Sequence, residues 1–495
     1  MSQMLDTPAP IAPPLEPIDN VDHDIVIRPS YFLGRLWHLF ISMKTGLALI
    51  LGLAVLTLIG TLLVQAPSGL HDDPEAYAAW LDAIRPKYGG WTGVLDTLGL
   101  FSIFTSIWFD GIVVLLMVSI VACSVNRAPR LWKRAVHPRT HVSEAFYRNA
   151  TYSRATVISD DPEGALATLR HAFRVRRFRT VVEREGETTH VYADRFRWGP
   201  FGTVVAHLSL VVILIGALAG VRWGFRNEQF AVPIGTKVAV GNGTGLTVEA
   251  KSFSDAYYAN GSPSDYASSL VLYKNGVQVA DQTVRVNQPL HYGGVGIFQS
   301  FFGAAAAMRV ANPTGKVLYD QGVPLLWAAD DGAHRIGRFS LPNAGLTVFV
   351  VGAESGKVDP AIKAGQMQIE VYKSGSQTPF ATKVVSQGQP VRVAGLDFTF
   401  LRERQFTGLI IAHDPGAIFI WIGVSMLVAG IFLVFFFPNR RLWARIRPTE
   451  RGSQIHVAAT SRRDSTFEHE FNHLIDDLEL ELTTRAHGKG RAESC

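Results

Sequence analysis

Four long apolar runs punctuate this 495-residue chain. They cover residues 47–66, 107–125, 201–221 and 417–437, and Asp110 is the one charged residue among them. A helix needs about 20 mostly apolar residues to cross about 30 Å of hydrocarbon, and soluble proteins rarely contain four such uninterrupted runs. The pattern therefore predicts a polytopic α-helical membrane protein with four transmembrane helices.

The long segment between the third and fourth runs has a different pattern, in which apolar and polar residues alternate with a period of two. Its stretch SSLVLYKNGVQVADQTVRV reads as two strands joined by Asn275-Gly276, a dipeptide that favours two-residue hairpin turns. Residues 223–414 are therefore predicted to form a large antiparallel β-rich domain.

A smaller α/β unit is predicted between the second and third runs. SRATVIS reads as a strand, DPEGALATLRHAF as a helix capped by Asp161 with Pro162 in its first turn, and TTHVYAD as a closing strand. The polar C-terminal tail carries one amphipathic helix, whose apolar face would pack on a partner helix or on this unit. That face consists of Phe467, Phe471, Leu474, Ile475 and Leu478.

The chain is thus divided into seven parts. They are a disordered or juxtamembrane leader (1–44), the first two spans with their connecting loop (45–125), a basic α/β segment (126–199), the third span (200–222), the β-rich domain (223–414), the fourth span (415–437) and the tail with its amphipathic helix (438–495).

Positive charge indicates the orientation of the spans. Lys and Arg cluster before the first and third runs and after the second and fourth, and such residues stay on the cytoplasmic side. Both termini are therefore expected in the cytoplasm of a cell with this protein in its inner or plasma membrane, with residues 223–414 outside. The net charge of +5 does not indicate nucleic-acid binding, and the basic stretch 170–179 is interpreted as facing anionic membrane lipids.

Cysteine chemistry is limited by the presence of only Cys123 and Cys495. They form no C-x-x-C pair, so neither a thiol-disulfide motif nor a covalent C-x-x-C-H haem site can be built from this chain. Cys123 is interpreted as a small buried hydrophobe in the second span, although a reactive thiol is the alternative.

His207 is the most informative single residue, because it alone among 15 histidines falls inside a predicted span. An ionisable group in hydrocarbon is costly and suggests function. Imidazole is a common axial ligand of haem iron, so a haem in the membrane is one interpretation, with the second ligand supplied by another chain. The alternative is a neutral ring hydrogen-bonded inside the helix bundle, to Thr203 or Ser209 for example.

Other polar residues are weaker candidates. Asp110 is interpreted as an interfacial residue at the outer end of the second span, with a functional role as the alternative. His291 and His413 are either surface histidines or haem ligands outside the membrane. His469 to His473 match H-E-x-x-H, a zinc motif when it lies on a helix. Because both histidines would lie on the solvated side of the tail helix and no protease-sized domain surrounds them, we assign no metal site and no catalytic residue there.

Several separated segments resemble the ResB family of cytochrome c biogenesis proteins, the smaller half of the system II haem-delivery machinery. They include SMKTGLALILGLAVLTLIGTLLVQ, DRFRWGPFGTVVAHLSLVVILIGALAG with the family's histidine at His207, and TGLIIAHDPGAIFIWIGVSMLVAGI. VNQPLHYGGVGIFQSFFG is similar to the hallmark of the family's outer domain. Its matching residues are Asn287, Pro289, Leu290, Tyr292, Gly294, Gln299 and Gly303.

The resemblance implies a non-catalytic subunit of a cytochrome c synthase, or haem lyase, complex. Its partner would be a multispanning WWD-domain protein of the ResC/CcsA type, and the pair would move haem b across the membrane for attachment to apocytochrome c. His207 would be one axial ligand of that haem, the 287–299 hallmark would be a structural or docking motif, and a thiol-reducing membrane protein would be a further partner. The alternative from another class is a membrane-anchored module that binds or senses an extracytoplasmic ligand.

Overall fold

The computed structural model describes residues 31–492 apart from 68–69, 73, 159, 261, 330, 354–358, 374–375, 377, 451 and 461–464. Most of the predicted leader, residues 1–30, lies outside this part of the chain. The described residues form two compact units, one built from the chain before Leu218 and after Ala417, and one from Leu218–Ala417.

The α-helices are α1 (Tyr31–Phe40), α2 (Met43–Leu62), α3 (Pro74–Tyr88), α4 (Thr92–Thr97), α5 (Ile107–Val136), α6 (Glu144–Asn149), α7 (Pro162–Val175), α8 (Gly202–Trp223), α9 (Ala417–Phe436) and α10 (Ser465–Ala492). The strands of the first unit are β1 (Tyr152–Ile158), β2 (Arg179–Glu185), β3 (Thr188–Arg195), β19 (Arg440–Thr449) and β20 (Gly452–Thr460).

The strands of the second unit are β4 (Phe225–Pro233), β5 (Lys237–Ala239), β6 (Leu246–Tyr257), β7 (Pro263–Lys274), β8 (Val277–Arg285), β9 (Leu290–Tyr292), β10 (Val295–Ala311), β11 (Val317–Pro324), β12 (Trp327–Ala328), β13 (His334–Leu341), β14 (Leu346–Ala353), β15 (Gln366–Lys373), β16 (Ala381–Ser386), β17 (Pro390–Val393) and β18 (Leu396–His413).

Four helices are long and apolar enough to cross a membrane, which confirms the four predicted spans. They comprise α2, α5, α8 with the short turn before it, and α9. Their apolar side chains remain largely exposed within the chain, as expected for surfaces that contact lipid. The second of these helices is longer than its apolar run, because the polar sequence after residue 125 continues the helix to Val136.

A five-stranded antiparallel sheet, in the order β1-β20-β19-β3-β2, forms the centre of the first unit's α/β domain. The predicted strand, capped helix and closing strand are confirmed as β1, α7 and β3, and the Asp161 carboxylate accepts a hydrogen bond from the backbone N–H of Gly164 at 3.2 Å. The sequence pattern did not predict β2, β19 or β20. Two strands from the C-terminal tail therefore complete a sheet that begins 300 residues earlier.

Helices α7 and α10 share the hydrophobic core on one face of this sheet. All five residues of the predicted apolar face of α10 are buried in that core, from Phe467 to Leu478. The sequence left two packing partners open for this face, a partner helix or the α/β unit. In the structure the face packs on the α/β domain of the same chain. A second, smaller cluster around Phe146, Tyr147 and Trp443 lies with α6.

The second unit is the predicted antiparallel β-rich domain. Its two longest strands, β10 and β18, pair along almost their whole length and carry β4, β9, β11 and β17 beside them. A four-stranded sheet (β5–β8) and a five-stranded sheet (β12–β16) complete the unit. The predicted hairpin is confirmed, because β7 and β8 meet at Asn275 and Gly276, whose φ angles are +50° and +85°.

Candidate functional site

His207 lies half-buried on α8, one residue beyond the contact between α8 and α9. That contact is made by small residues: a Cβ built on Gly430 would lie 2.7 Å from the backbone nitrogen of Ala206. Successive helical residues point about 100° apart, so the imidazole leaves the contact rather than entering it. Its neighbours Leu208 and Leu210 are 37% and 39% exposed, so this side of α8 is open to lipid or to another protein.

The hydrogen-bonded alternative for His207 is not seen. The Thr203 hydroxyl donates to the carbonyl of Pro200 at 2.8 Å, and the Ser209 hydroxyl donates to the carbonyl of Ala206 at 2.7 Å. Across the described residues, no side chain or carbonyl forms a hydrogen bond with the imidazole. No described residue therefore holds the ring by a hydrogen bond, which leaves its nitrogens available to a ligand.

Two further candidate residues in the spans, Asp110 and Cys123, lie in environments that suggest structural roles. Asp110 lies in the first turn of α5, where a carboxylate interacts favourably with the helix dipole. Cys123 is half-buried, and its Sγ lies 3.6 Å from the carbonyl oxygen of Phe40. Neither residue lies in a cluster of catalytic type among the described side chains.

The hallmark segment 287–303 forms a turn, a short strand and the start of a long one. Asn287 is exposed and has a φ of +66°, within a tight turn closed by mutual backbone hydrogen bonds between Arg285 and Gln288. Pro289 then leads into β9, which reverses into β10 after Tyr292 through Gly293 and Gly294. Both glycines have positive φ angles, 56° and 80°, and this explains why glycine suits them.

Gln299 is a buried polar residue at a β-bulge in β10, where the register with β18 shifts. Its side chain is 6% exposed. The carbonyl Oε1 accepts hydrogen bonds from the hydroxyls of Ser268 at 2.5 Å and Thr407 at 3.0 Å, and the Nε2 donates to the backbone carbonyl of Phe301 at 3.1 Å. This amide therefore ties the bulge to β7 and β18, which is a structural role.

Replacing Gln299 with leucine should lower the stability of the protein. The carbonyl of Phe301 would lose its donor and the two hydroxyls their shared acceptor, at a cost of about 2–3 kcal/mol in the free energy of unfolding. The unfolding temperature in detergent measures this. Gln282→Leu is the matched control, because Gln282 is exposed on β8 and its replacement should change stability by less than about 0.5 kcal/mol. Equal unfolding temperatures for the two variants would contradict this role.

The two outer candidate histidines lie on opposite faces of one sheet. His291 pairs with Gly296 of β10, whereas His413 pairs with Val295, the residue that precedes Gly296 in the same strand. Successive residues of a strand point to opposite faces, and the contacts agree. The His291 ring packs edge-on against Phe298 at 5.7 Å between centroids. These two imidazoles therefore cannot act together as ligands of one iron.

His413 is half-buried at the end of β18, immediately before α9. Its Nδ1 lies 2.9 Å from the carbonyl oxygen of Gly294, a hydrogen bond that joins the hallmark turn to the end of β18. A Cβ on Gly294 would lie 3.0 Å from the His413 ring. The next residue, Asp414, accepts a hydrogen bond from the backbone N–H of Gly416 at 2.9 Å, which forms an Asx-type turn just before α9.

The H-E-x-x-H segment of α10 lacks the geometry of a protease site. His469 and His473 are exposed, as predicted. Glu470, which would have to act as the base, is instead bound by the guanidinium groups of Arg195, at 2.6 Å, and Arg440. The carboxylate therefore anchors α10 to β3 and β19.

A cavity of about 920 Å³ in the second unit is a site that the sequence pattern did not indicate. It lies on the sheet β12–β16 and is lined by aromatic and polar side chains, among them Trp327, Phe349, Tyr372 and His334. His334 is held between the carboxylates of Asp331, at 2.5 Å, and Asp359. These hydrogen bonds raise the pKa of His334. Because they also occupy both ring nitrogens, this imidazole is unsuited to binding iron.

Comparison with known proteins places these features in a family. A sequence model of the ResB-like family matches residues 43–472. The "Cytochrome c biogenesis protein CcsB" of Synechococcus sp. (strain JA-2-3B'a(2-13)) is 26% identical, over 91% of this chain and 93% of its own. That of Gloeobacter violaceus is 25% identical over 93% of each chain, and the "Cytochrome c biogenesis protein Ccs1" of Rhodomonas salina is 25% identical over 88% of this chain and 95% of its own.

Proposed function

Because this chain belongs to the ResB-like family, we propose that it acts in cytochrome c biogenesis by holding haem within the membrane through His207. The role in biogenesis rests on the family match and on the names of relatives that cover nearly the whole chain. The haem-binding part rests on one observation: a half-buried imidazole in a span, turned away from the contact with α9 and without a hydrogen-bond partner among the described residues.

The chemistry of this residue suits an axial ligand. A neutral imidazole supplies a nitrogen lone pair to iron, and the apolar side chains beside it would contact the porphyrin face or the lipid. This chain offers no second imidazole within its spans, so the other axial ligand would come from a multispanning partner of the WWD type. In this proposal the substrate is haem b, and apocytochrome c is the acceptor outside the membrane.

The large β-rich domain would then face the exterior and help to position haem or apocytochrome c. Residues 287–299 are held to the end of β18 by the hydrogen bond from His413 to Gly294. The Gln299 side chain hydrogen-bonds to two hydroxyls and a backbone carbonyl, a set that offers no acid, base or activated nucleophile. We therefore assign this segment a structural or docking role. In this proposal, haem is attached to apocytochrome c at the partner protein, and a separate thiol reductant acts on the cysteines of apocytochrome c.

The orientation is a separate part of the proposal, with the β-rich domain outside and the α/β domain in the cytoplasm. Cysteines introduced at Val277 and Val157, which are 68% and 59% exposed, would report on the two domains in a variant lacking Cys495. A membrane-impermeant thiol reagent added to intact spheroplasts should label Val277→Cys and leave Val157→Cys unlabelled until lysis. The reverse pattern would invert the topology.

The test of the main proposal is the haem absorption of the complex purified with its partner, which should depend on His207. The second candidate function is ligand binding or sensing by the β-rich domain, which the cavity on β12–β16 favours. A complex without haem, or with haem that is indifferent to His207, would favour that alternative.

A further inference from the structure

A second group of imidazoles and carboxylates lies in the α/β domain, away from the spans. His141 belongs to the segment that links α5 to α6, while Glu185 ends β2 and His190 lies in β3. Their candidate ligand atoms all lie within 4.8 Å of one another. The first and last of these residues are 49 positions apart in the sequence. They come together because β2 pairs with β3 and the link between α5 and α6 packs beside this hairpin.

The distances match those of a small coordination sphere. The Oε2 of Glu185 lies 3.4 Å from the Nδ1 of His141 and 3.7 Å from the Nε2 of His190. In a tetrahedral zinc site with metal–ligand distances of about 2.1 Å, neighbouring ligand atoms are roughly 3.4 Å apart. The third separation, between the two imidazole nitrogens, is at most 4.8 Å, so sharing one cation requires the rings to approach by no more than about 1.4 Å.

The surroundings of His141 set the direction of its ring. Its Nε2 lies 3.2 Å from the carboxylate of Glu183, which also accepts a hydrogen bond from Thr140. A carboxylate that accepts a hydrogen bond from the N–H of one imidazole nitrogen leaves the lone pair on the other nitrogen, which is the usual arrangement around metal-binding histidines. In this chain the remaining nitrogen, Nδ1, points at Glu185.

His190 is buried, with 7% of its surface exposed, and its Nδ1 makes no hydrogen bond with any described residue. Its Nε2 has only the 3.7 Å approach to Glu185. Because this approach is too long for a hydrogen bond, the Nε2 lone pair is available to a ligand shared with Glu185.

Two arginines near the cluster, Arg445 and Arg447, are partly neutralised by the carboxylate of Glu144. The guanidinium of Arg445 pairs with Glu144, and Arg447 lies 3.7 Å from the same carboxylate. This pairing lowers the pKa of Glu144 to about 2, so the carboxylate remains charged under physiological conditions. Because the two arginines are paired with Glu144, the carboxylates nearest the two imidazoles are those of Glu183 and Glu185. Their negative charge would attract a cation.

We propose that His141, Glu185 and His190 bind one divalent transition-metal cation of the zinc class, with Glu183 as a positioning residue. Two imidazole nitrogens and one carboxylate oxygen suit Zn²⁺ better than Mg²⁺ or Ca²⁺, which prefer oxygen ligands. Water would complete the sphere on the exposed side. The cation fastens the segment after the second span to the β2–β3 hairpin. This site is independent of His207 and of haem.

The test is zinc binding by the full-length protein in detergent, purified through an affinity tag without histidine. Equilibrium dialysis against buffered Zn²⁺ in excess Mg²⁺, with zinc measured by mass spectrometry, should give one bound ion per chain. His141→Ala and Glu185→Gln should each weaken zinc affinity by roughly tenfold or more, since loss of even an outer-shell group costs about that much. Both side chains are well exposed, so the variants should retain the wild-type size-exclusion profile.

The exposed pair His469 and His473 on α10, with ring centroids 4.6 Å apart, supplies the matched control. The double variant His469→Ala/His473→Ala should retain the bound zinc and its affinity. Substituted Co²⁺ should give a visible absorption band that His141→Ala removes. Zinc lost only from the α10 variant, no stoichiometric zinc in the wild type, or equal affinity in His141→Ala would each overturn the proposal.

Discussion

Replacing His207 with alanine should remove most of the Soret absorption from the complex purified with its partner. If the imidazole supplies one of two axial ligands, its loss should lower haem occupancy roughly tenfold or more, which corresponds to about 1.4 kcal/mol or more of binding free energy. Added imidazole should restore the band, because a free ring can enter the space left by the side chain. The haem-to-protein ratio and the absorption spectrum measure both effects.

The controls separate ligation from packing and from hydrogen bonding. Leu58→Ala removes an exposed apolar side chain from a different span, α2, and should leave the haem content near that of the wild type. His207→Gln keeps a polar side chain without a good iron ligand and should resemble His207→Ala. An unchanged spectrum in His207→Ala would refute the role of this residue, and recovery in His207→Gln would indicate a hydrogen bond instead.

Replacing Gly430 with alanine should separate α8 from α9 and destabilise the protein. The added Cβ would lie 2.7 Å from the nitrogen of Ala206 and 2.8 Å from the carbonyl oxygen of Gly202, and both atoms belong to the main chain. Since backbone cannot turn aside as a side chain can, the helices must move apart, at a cost of about 1–3 kcal/mol. Ala206 precedes His207, so the same movement should also lower haem occupancy.

Gly111→Ala is the matched control, because it makes the same change within a span where no atom lies within 4 Å of the new Cβ. Alanine favours a helix over glycine by about 1 kcal/mol, so this variant should be as stable as the wild type or more so. The two unfolding temperatures in detergent decide the question. If Gly430→Ala unfolds no earlier than Gly111→Ala, the close approach of the two helices does not limit stability.

Local patterns in the sequence determined much of the architecture. The spans follow from runs of about 20 apolar residues, the β7–β8 hairpin from Asn275-Gly276, and the start of α7 from Asp161 and Pro162. Each depends on neighbouring residues only, and a local pattern is visible in one dimension. His207 was identified in the same way, as the one histidine in an apolar run.

Only the tertiary structure decided which distant segments meet. Strands β19 and β20 join β3 and β1 across about 245 residues or more, and no local pattern in the sequence specifies partners that far away. The bulge at Gln299, and the register that separates His291 from His413, depend on how β10 aligns with β18. The cluster of His141, Glu185 and His190 likewise arises from the packing of the link against the β2–β3 hairpin. Alternation fixes which residues share a face of one strand, whereas the pairing of strands depends on the summed burial of many distant side chains.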